Sequence, residues 1–114
     1  MTDFDLRETS FLKVIRDVTF NEMKLLINPN DGADLGLYKT EVKVLLYYGY
    51  NPASIQKGNP RPYYGTLFLD NNCTLGVVVI GSRAYKNLGE PELVRLHLIK
   101  RTNSKFPNLL IDTE

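Results

Sequence analysis

A chain of 114 residues with 43% hydrophobic and 11% aromatic content has material for one hydrophobic core and too little length for two ordinary domains. Fourteen Lys and Arg stand against thirteen Asp and Glu, which excludes a histone-like polycation and an acidic solvating tail, while the aromatic content argues against a disordered chain. The expectation is a single β domain over residues 1–114, soluble and cytoplasmic, or in the host cytoplasm if viral. No apolar run reaches the roughly 18 residues of a membrane span; the start MTDFDLR is too charged for a signal peptide, and the lone Cys73 permits no intrachain disulfide.

Taken in chain order, residues 5–27 fit two patterns. Leu12, Val14, Val18 and Phe20 follow alternation, while Phe11, Leu12, Ile15, Thr19 and Met23 nearly follow a helical stripe. The β-branched content favours strand, with a helix over residues 3–9 as the alternative. Asn28-Pro-Asn-Asp-Gly32 then reads as a turn. The clearest strand is residues 40–50, TEVKVLLYYGY, where Val42, Val44, Leu46 and Tyr48 alternate with Glu41, Lys43, Leu45 and Tyr47. A long loop follows from Asn51 to Pro62, with three prolines and Gly58.

Residues 63–70 (YYGTLFLD) and 74–80 (TLGVVVI) read as two more strands, separated by Asn71-Asn72-Cys73, a spacer of hairpin length. Residues 82–88 (SRAYKNL) lie between Gly81 and Gly89 and predict the one short helix, with Ser82 as N-cap and Gly89 just past its end. The stretch 93–101 (LVRLHLIKR) predicts a strand with Val94, Leu96 and Leu98 on one face and Leu93, Arg95, His97, Ile99 and Arg101 on the other. Residues 108–112 add a short last strand. Gly and Pro punctuate short apolar runs instead of pooling into a linker, which is the layout of a small OB-like barrel or a β-sandwich.

Reagents for catalysis are scarce. His97 is the only histidine, and beside Arg95 and Arg101 it reads as a surface side chain. Cys73 has no CxxC partner and no pattern that would activate a thiol, so it reads as an ordinary turn or core-edge residue. Asp31 and Asp34 flank Gly32 without EF-hand spacing and read as solvated turn acids. Neither GxGxxG, GxxxxGK[ST] nor GxSxG occurs. The expectation is a non-enzymatic domain with no cofactor and no metal.

A division of charge stands out against that background. Residues 39–105 carry ten Lys and Arg against four Asp and Glu, whereas residues 1–38 carry four against seven. Six of the seven tyrosines (Tyr47, Tyr48, Tyr50, Tyr63, Tyr64 and Tyr85) lie within the basic middle. Cations for phosphates and planar rings for bases are what sequence-tolerant binding of a single strand requires. The pairs Tyr47-Tyr48 and Tyr63-Tyr64 send one ring of each outward if both lie in strands. The same surface residues also suit protein interfaces, where exposed Tyr and Arg are enriched.

The run from Gly76 to Gly89 (GVVVIGSRAYKNLG), followed by Leu93-Val-Arg-Leu96, resembles the second half of OB-fold single-stranded DNA-binding proteins. That resemblance covers about a quarter of the chain. It implies a five-stranded barrel that binds one strand across its face by stacking and basic contacts, with residues 51–62 as a flap. Gly32-Ala-Asp-Leu35, Tyr64-Gly65-Thr66 and Gly76-Val-Val-Val79 resemble pieces of dUTPase-like β-barrels, but the catalytic Asp and stacking Tyr of that family have no counterpart in residues 66–75. At most an inactive relative fits.

The reading that follows is a non-catalytic β-barrel that binds single-stranded nucleic acid. Lys43, Tyr47, Arg95 and Arg101 lie on the mixed faces of two strands, with Arg61, Tyr63 and Arg83 at loop mouths. The alternative is a viral or phage-type structural or inhibitory domain that works by assembly, through a protein partner or self-association, with Leu45 or Ile99 at the interface.

Overall fold

Residues 4–58 and 60–113 are described by the structure, a computed structural model. Along them run β1 (Phe4–Glu8), β2 (Leu12–Asp17), β3 (Lys24–Ile27), α1 (Pro29–Asp34), β4 (Glu41–Tyr48), α2 (Pro52–Gly58), β5 (Tyr63–Leu69), β6 (Val77–Gly81), α3 (Ser82–Asn87), β7 (Leu93–Arg101) and β8 (Asn108–Thr113). Seven strands close into a barrel in the order β7-β2-β6-β3-β5-β4-β8, with β8 returning to β7, and β1 extends the sheet beyond β7. Parallel pairs (β2 with β6, β3 with β5, β4 with β8) alternate with antiparallel ones except at β7, which is antiparallel to both β2 and β8. The mainly β small-barrel class expected from the sequence is the one that forms, closed by seven strands where the resemblance implies five.

Period-two alternation fills the interior. Leu12 of β2, Leu25 and Ile27 of β3, Val44 and Leu46 of β4, Leu67 and Leu69 of β5, Val78 and Ile80 of β6, Val94, Leu96 and Leu98 of β7, and Leu109 and Ile111 of β8 form one buried cluster. Leu35 and Leu37, just past α1, join it. The predicted faces of residues 40–50 and 93–101 are thus the inner faces of β4 and β7. Among the described residues no helix is long and apolar enough to cross a membrane.

Residues 5–27 resolve into strands, and the helix considered over 3–9 is instead β1, with residue 3 outside the described residues. Thr9 explains why one run makes two strands. Its N–H donates to Leu96 O at 3.0 Å, while its buried hydroxyl accepts the Leu96 N–H at 3.2 Å in place of its own carbonyl. The chain therefore leaves the ladder at Ser10 without an unsatisfied donor on β7, and β2 crosses to pair with β6. Val18, expected to continue the alternation, falls in the turn after β2 and is 73% exposed.

Several expectations are corrected. Among the described residues three short helices form where one was predicted, because two of the apparent loops begin with Asn-Pro. Asn28 accepts the Asn30 N–H at 2.8 Å, and Asn51 accepts those of Ala53 and Ser54 at 3.0 and 2.8 Å, with Pro29 and Pro52 opening the helices. An Asn cap followed by Pro starts a helix as readily as a turn. Ser82 is not the cap of α3; Gly81 is, and it has no side chain to bond the first turn. Gly89, at φ +83°, follows the helix end as expected.

Residues 71–73 do not close a hairpin. β3 lies between β5 and β6, parallel to one and antiparallel to the other. The connection instead folds over α1: Asn28 Nδ2 donates to Cys73 O at 2.9 Å, and Gly76 N–H donates to Asp31 Oδ2 at 2.8 Å. Asp31 is accordingly 5% exposed and not a solvated turn acid. Cys73 is buried beneath the same turn, with its thiol facing the Val77 carbonyl at 3.6 Å, and burial pushes its pKa up.

His97 is also buried, at 6% exposure, instead of lying on the surface. Outside the barrel wall, Leu110 and Ile99 are buried as well. His97 lies opposite Leu110 of β8 and Glu8 of β1, with Nδ1 3.2 Å from Glu8 Oε2 and Nε2 3.5 Å from Asp112 Oδ2. Flanking strands thus cover part of the face that alternation assigns to solvent.

Candidate nucleic-acid interface

The end of β4, the end of β7, the start of β5 and the helices α2 and α3 meet around a run of three adjoining depressions. The first, about 180 Å³, is lined by Tyr47, Ile55, Gln56, Pro60, Ile99, Arg101 and Asn108. The next, about 360 Å³, shares Tyr47 and Pro60 with it and adds Tyr48, Tyr50, Arg61, Tyr63 and Asn87. The third, about 190 Å³, shares Tyr48, Tyr63 and Asn87 and adds Glu22, Met23, Arg83 and Ala84. Arg101 therefore borders the depression at one end of this cleft-like run, Arg61 the middle one and Arg83 the one at the other end.

Strand parity places the rings. Tyr47 points outward from β4 beside the Leu110 position of β8, while Tyr48 follows Val44 and Leu46 on the inner face. Its hydroxyl donates to the Glu22 carbonyl, tying the β2–β3 connection to β4. Burial pushes the Tyr48 phenol strongly up, and the Tyr47 phenol up to a lesser degree, against the favourable charge of Arg101. Tyr63 sits on the barrel rim, where the inner face runs out of core. It is 48% exposed and meets Tyr48 edge-on at 5.8 Å between centroids. Tyr64, 75% exposed, lies on the other face of β5 against Phe106.

Five of the seven residues expected at the interface, Tyr47, Arg61, Tyr63, Arg83 and Arg101, border the cleft. Arg83 is 3.4 Å from Glu22, an exposed pair that holds the guanidinium at the rim. Lys43 and Arg95 stand apart. Lys43 Nζ donates to Thr66 Oγ1 at 3.1 Å and lies 4.0 Å from Glu41, on the barrel wall. Arg95 stacks over the Phe11 ring at 4.3 Å, near Glu8. Both cations are turned to neighbours within the fold. Tyr50 and Asn87 also line the cleft: Tyr50 is one of the six tyrosines of the basic middle but not among the expected interface residues, and Asn87, in α3, carries no sequence signal for binding.

No group of three or more His, Cys, Asp and Glu among the described residues is placed to hold a metal ion. Comparison with protein-family models, curated proteins and solved structures finds no match.

Proposed function

We propose that this barrel binds single-stranded nucleic acid along the cleft that runs from Arg101 past Tyr47 and Tyr63 to Arg83. The observation that carries the reading is the grouping itself: three arginines, one in each of three adjoining depressions, with exposed or half-buried tyrosines between them. Stacking is tolerant of base identity because every base has a π-face, and guanidinium groups meet phosphates through paired donors.

Tyr47→Ala is expected to weaken binding of a single-stranded oligonucleotide by about 1–3 kcal/mol, roughly 5- to 150-fold, while lowering the thermal midpoint far less than Tyr48→Ala does. Fluorescence anisotropy on DNA and RNA oligonucleotides, with thermal melts of the same samples, checks both halves. Unchanged affinity would remove Tyr47 from the platform. A second reading, a domain that works by assembly, is favoured by one separate feature of the sheet, the edge of β1.

A further inference from the structure

Every strand of the barrel has a neighbour on both sides, and among the described residues β1 alone has one free edge. Its side chains from Asp5 to Glu8 are all exposed, Leu6 to 45%. The strand has no proline and pairs with β7 residue for residue, so nothing in its backbone obstructs a further strand.

We infer that β1 pairs antiparallel with β1 of a second copy of this chain, about a two-fold axis through Leu6. The hydrogen-bond parity supports that centre. Thr9 N–H points to Leu96 of β7, so alternation along the ladder turns Arg7 and Asp5 to β7 and leaves the N–H and C=O of Leu6 and Glu8 at the free edge. With the axis at Leu6, the two Leu6 residues form a hydrogen-bonded pair. Asp5 then lies opposite Arg7 of the second copy, and Arg7 opposite its Asp5. These are non-hydrogen-bonded positions, where facing side chains come closest.

Charge on an edge strand ordinarily keeps other strands away. Here the order Asp-Leu-Arg is complementary to its own reverse. Asp5 and Arg7 already share one face, 3.0 Å apart, and the pairing joins two such ion pairs into a cluster of four alternating charges. The exposed apolar side chain of Leu6 meets its counterpart on the opposite face. A five-residue ladder is a small interface, so the association belongs to the weak, reversible class.

Sedimentation of the full chain without nucleic acid, from about 10 μM to about 1 mM, tests this apart from the cleft. The expected result is a concentration-dependent monomer–dimer equilibrium. Asp5→Arg and Arg7→Asp each set like charges opposite one another and should weaken it by about tenfold or more, whereas the double exchange Asp5→Arg/Arg7→Asp restores complementarity and the dimer. A mixture of the two single variants should associate more tightly than either alone, which a variant that merely misfolds would not do. A wild-type chain that stays monomeric throughout, single variants that dimerise like wild type, or a mixture no tighter than its components would each overturn the inference.

Discussion

Replacing Tyr48 by alanine is expected to lower the unfolding free energy by about 3 kcal/mol, at the lower end of the range for large core aromatics because the ring reaches the rim. The ring packs against the core cluster and edge-on against Tyr63, and its hydroxyl donates to the Glu22 carbonyl. Tyr48→Phe keeps the packing and loses the donor, so its cost should be nearer 1 kcal/mol. The phenol adds a pH signature. Burial raises its pKa in the fold, so the folded state keeps a proton that the unfolded chain releases, and stability falls as pH rises above about 10. Tyr48→Phe should remove part of that alkaline loss. Denaturant melts at neutral pH and above pH 10 on the wild type and both variants read all three effects. A thermal midpoint indifferent to Tyr48→Ala but lowered by Tyr47→Ala would mean that the β4 faces are inverted.

Gly65→Ala is expected to cost about 3 kcal/mol, the upper part of the range for overpacking a filled interior. Gly65 faces inward on β5, opposite Val44, and a Cβ there would lie 2.3 Å from Leu46 Cδ1 and 2.5 Å from the Met23 carbonyl oxygen. Leu46 can rotate. The carbonyl cannot yield freely, because it accepts the Thr66 N–H at 2.9 Å and so anchors the entry of β3 to β5. Combining Gly65→Ala with Leu46→Ala should therefore fail to recover the loss. Gly76→Ala is the control: no atom lies within 4 Å of its Cβ, and only the left-handed φ of +81° opposes it, at about 1–2 kcal/mol. Equal effects at the two glycines would show that close packing at Gly65 is not what selects glycine there.

What could be read from the sequence was whatever period two expresses. The inner faces of β4 and β7 were legible in full because a barrel interior selects every second residue along a strand. Helices α1 and α2 were not, since six or seven residues are too few to show a helical period and Asn-Pro opens turns and helices alike. The position of β3 between β5 and β6 was hidden for another reason. Adjacent segments of sequence suggest a hairpin, and only the long-range bonds of Asn28 and Asp31 to the 73–76 turn reveal the crossing. His97 was misplaced because alternation marks the inside of the barrel and is silent about what flanks its outside.

The candidate site was legible as composition and illegible as grouping. The arginines and tyrosines of the basic middle stood out, yet nothing local distinguishes Arg101, which borders the cleft, from Arg95 six positions earlier on the same strand face. Arg95 stacks on Phe11, which comes from the other end of the chain, and only the fold shows which of the two lines the depression beside Tyr47. Likewise Lys43 shares the outer face of β4 with Tyr47, but Thr66 and Glu41 hold its ammonium on the wall. From the composition of the basic middle, about four to six phosphate contacts would be expected at a slope of roughly −0.7 per contact. The cleft itself offers three arginines.

A salt titration of oligonucleotide binding therefore tests the central claim most directly. Anisotropy of a labelled single-stranded DNA or RNA, measured from low to moderate salt, should show binding whose logarithm falls with log salt at a slope of about −2, as for three phosphate contacts, and Tyr47→Ala should lower the affinity while leaving that slope intact. Absence of binding at low salt, or binding indifferent both to salt and to Tyr47→Ala, would contradict the assignment of the cleft to single-stranded nucleic acid.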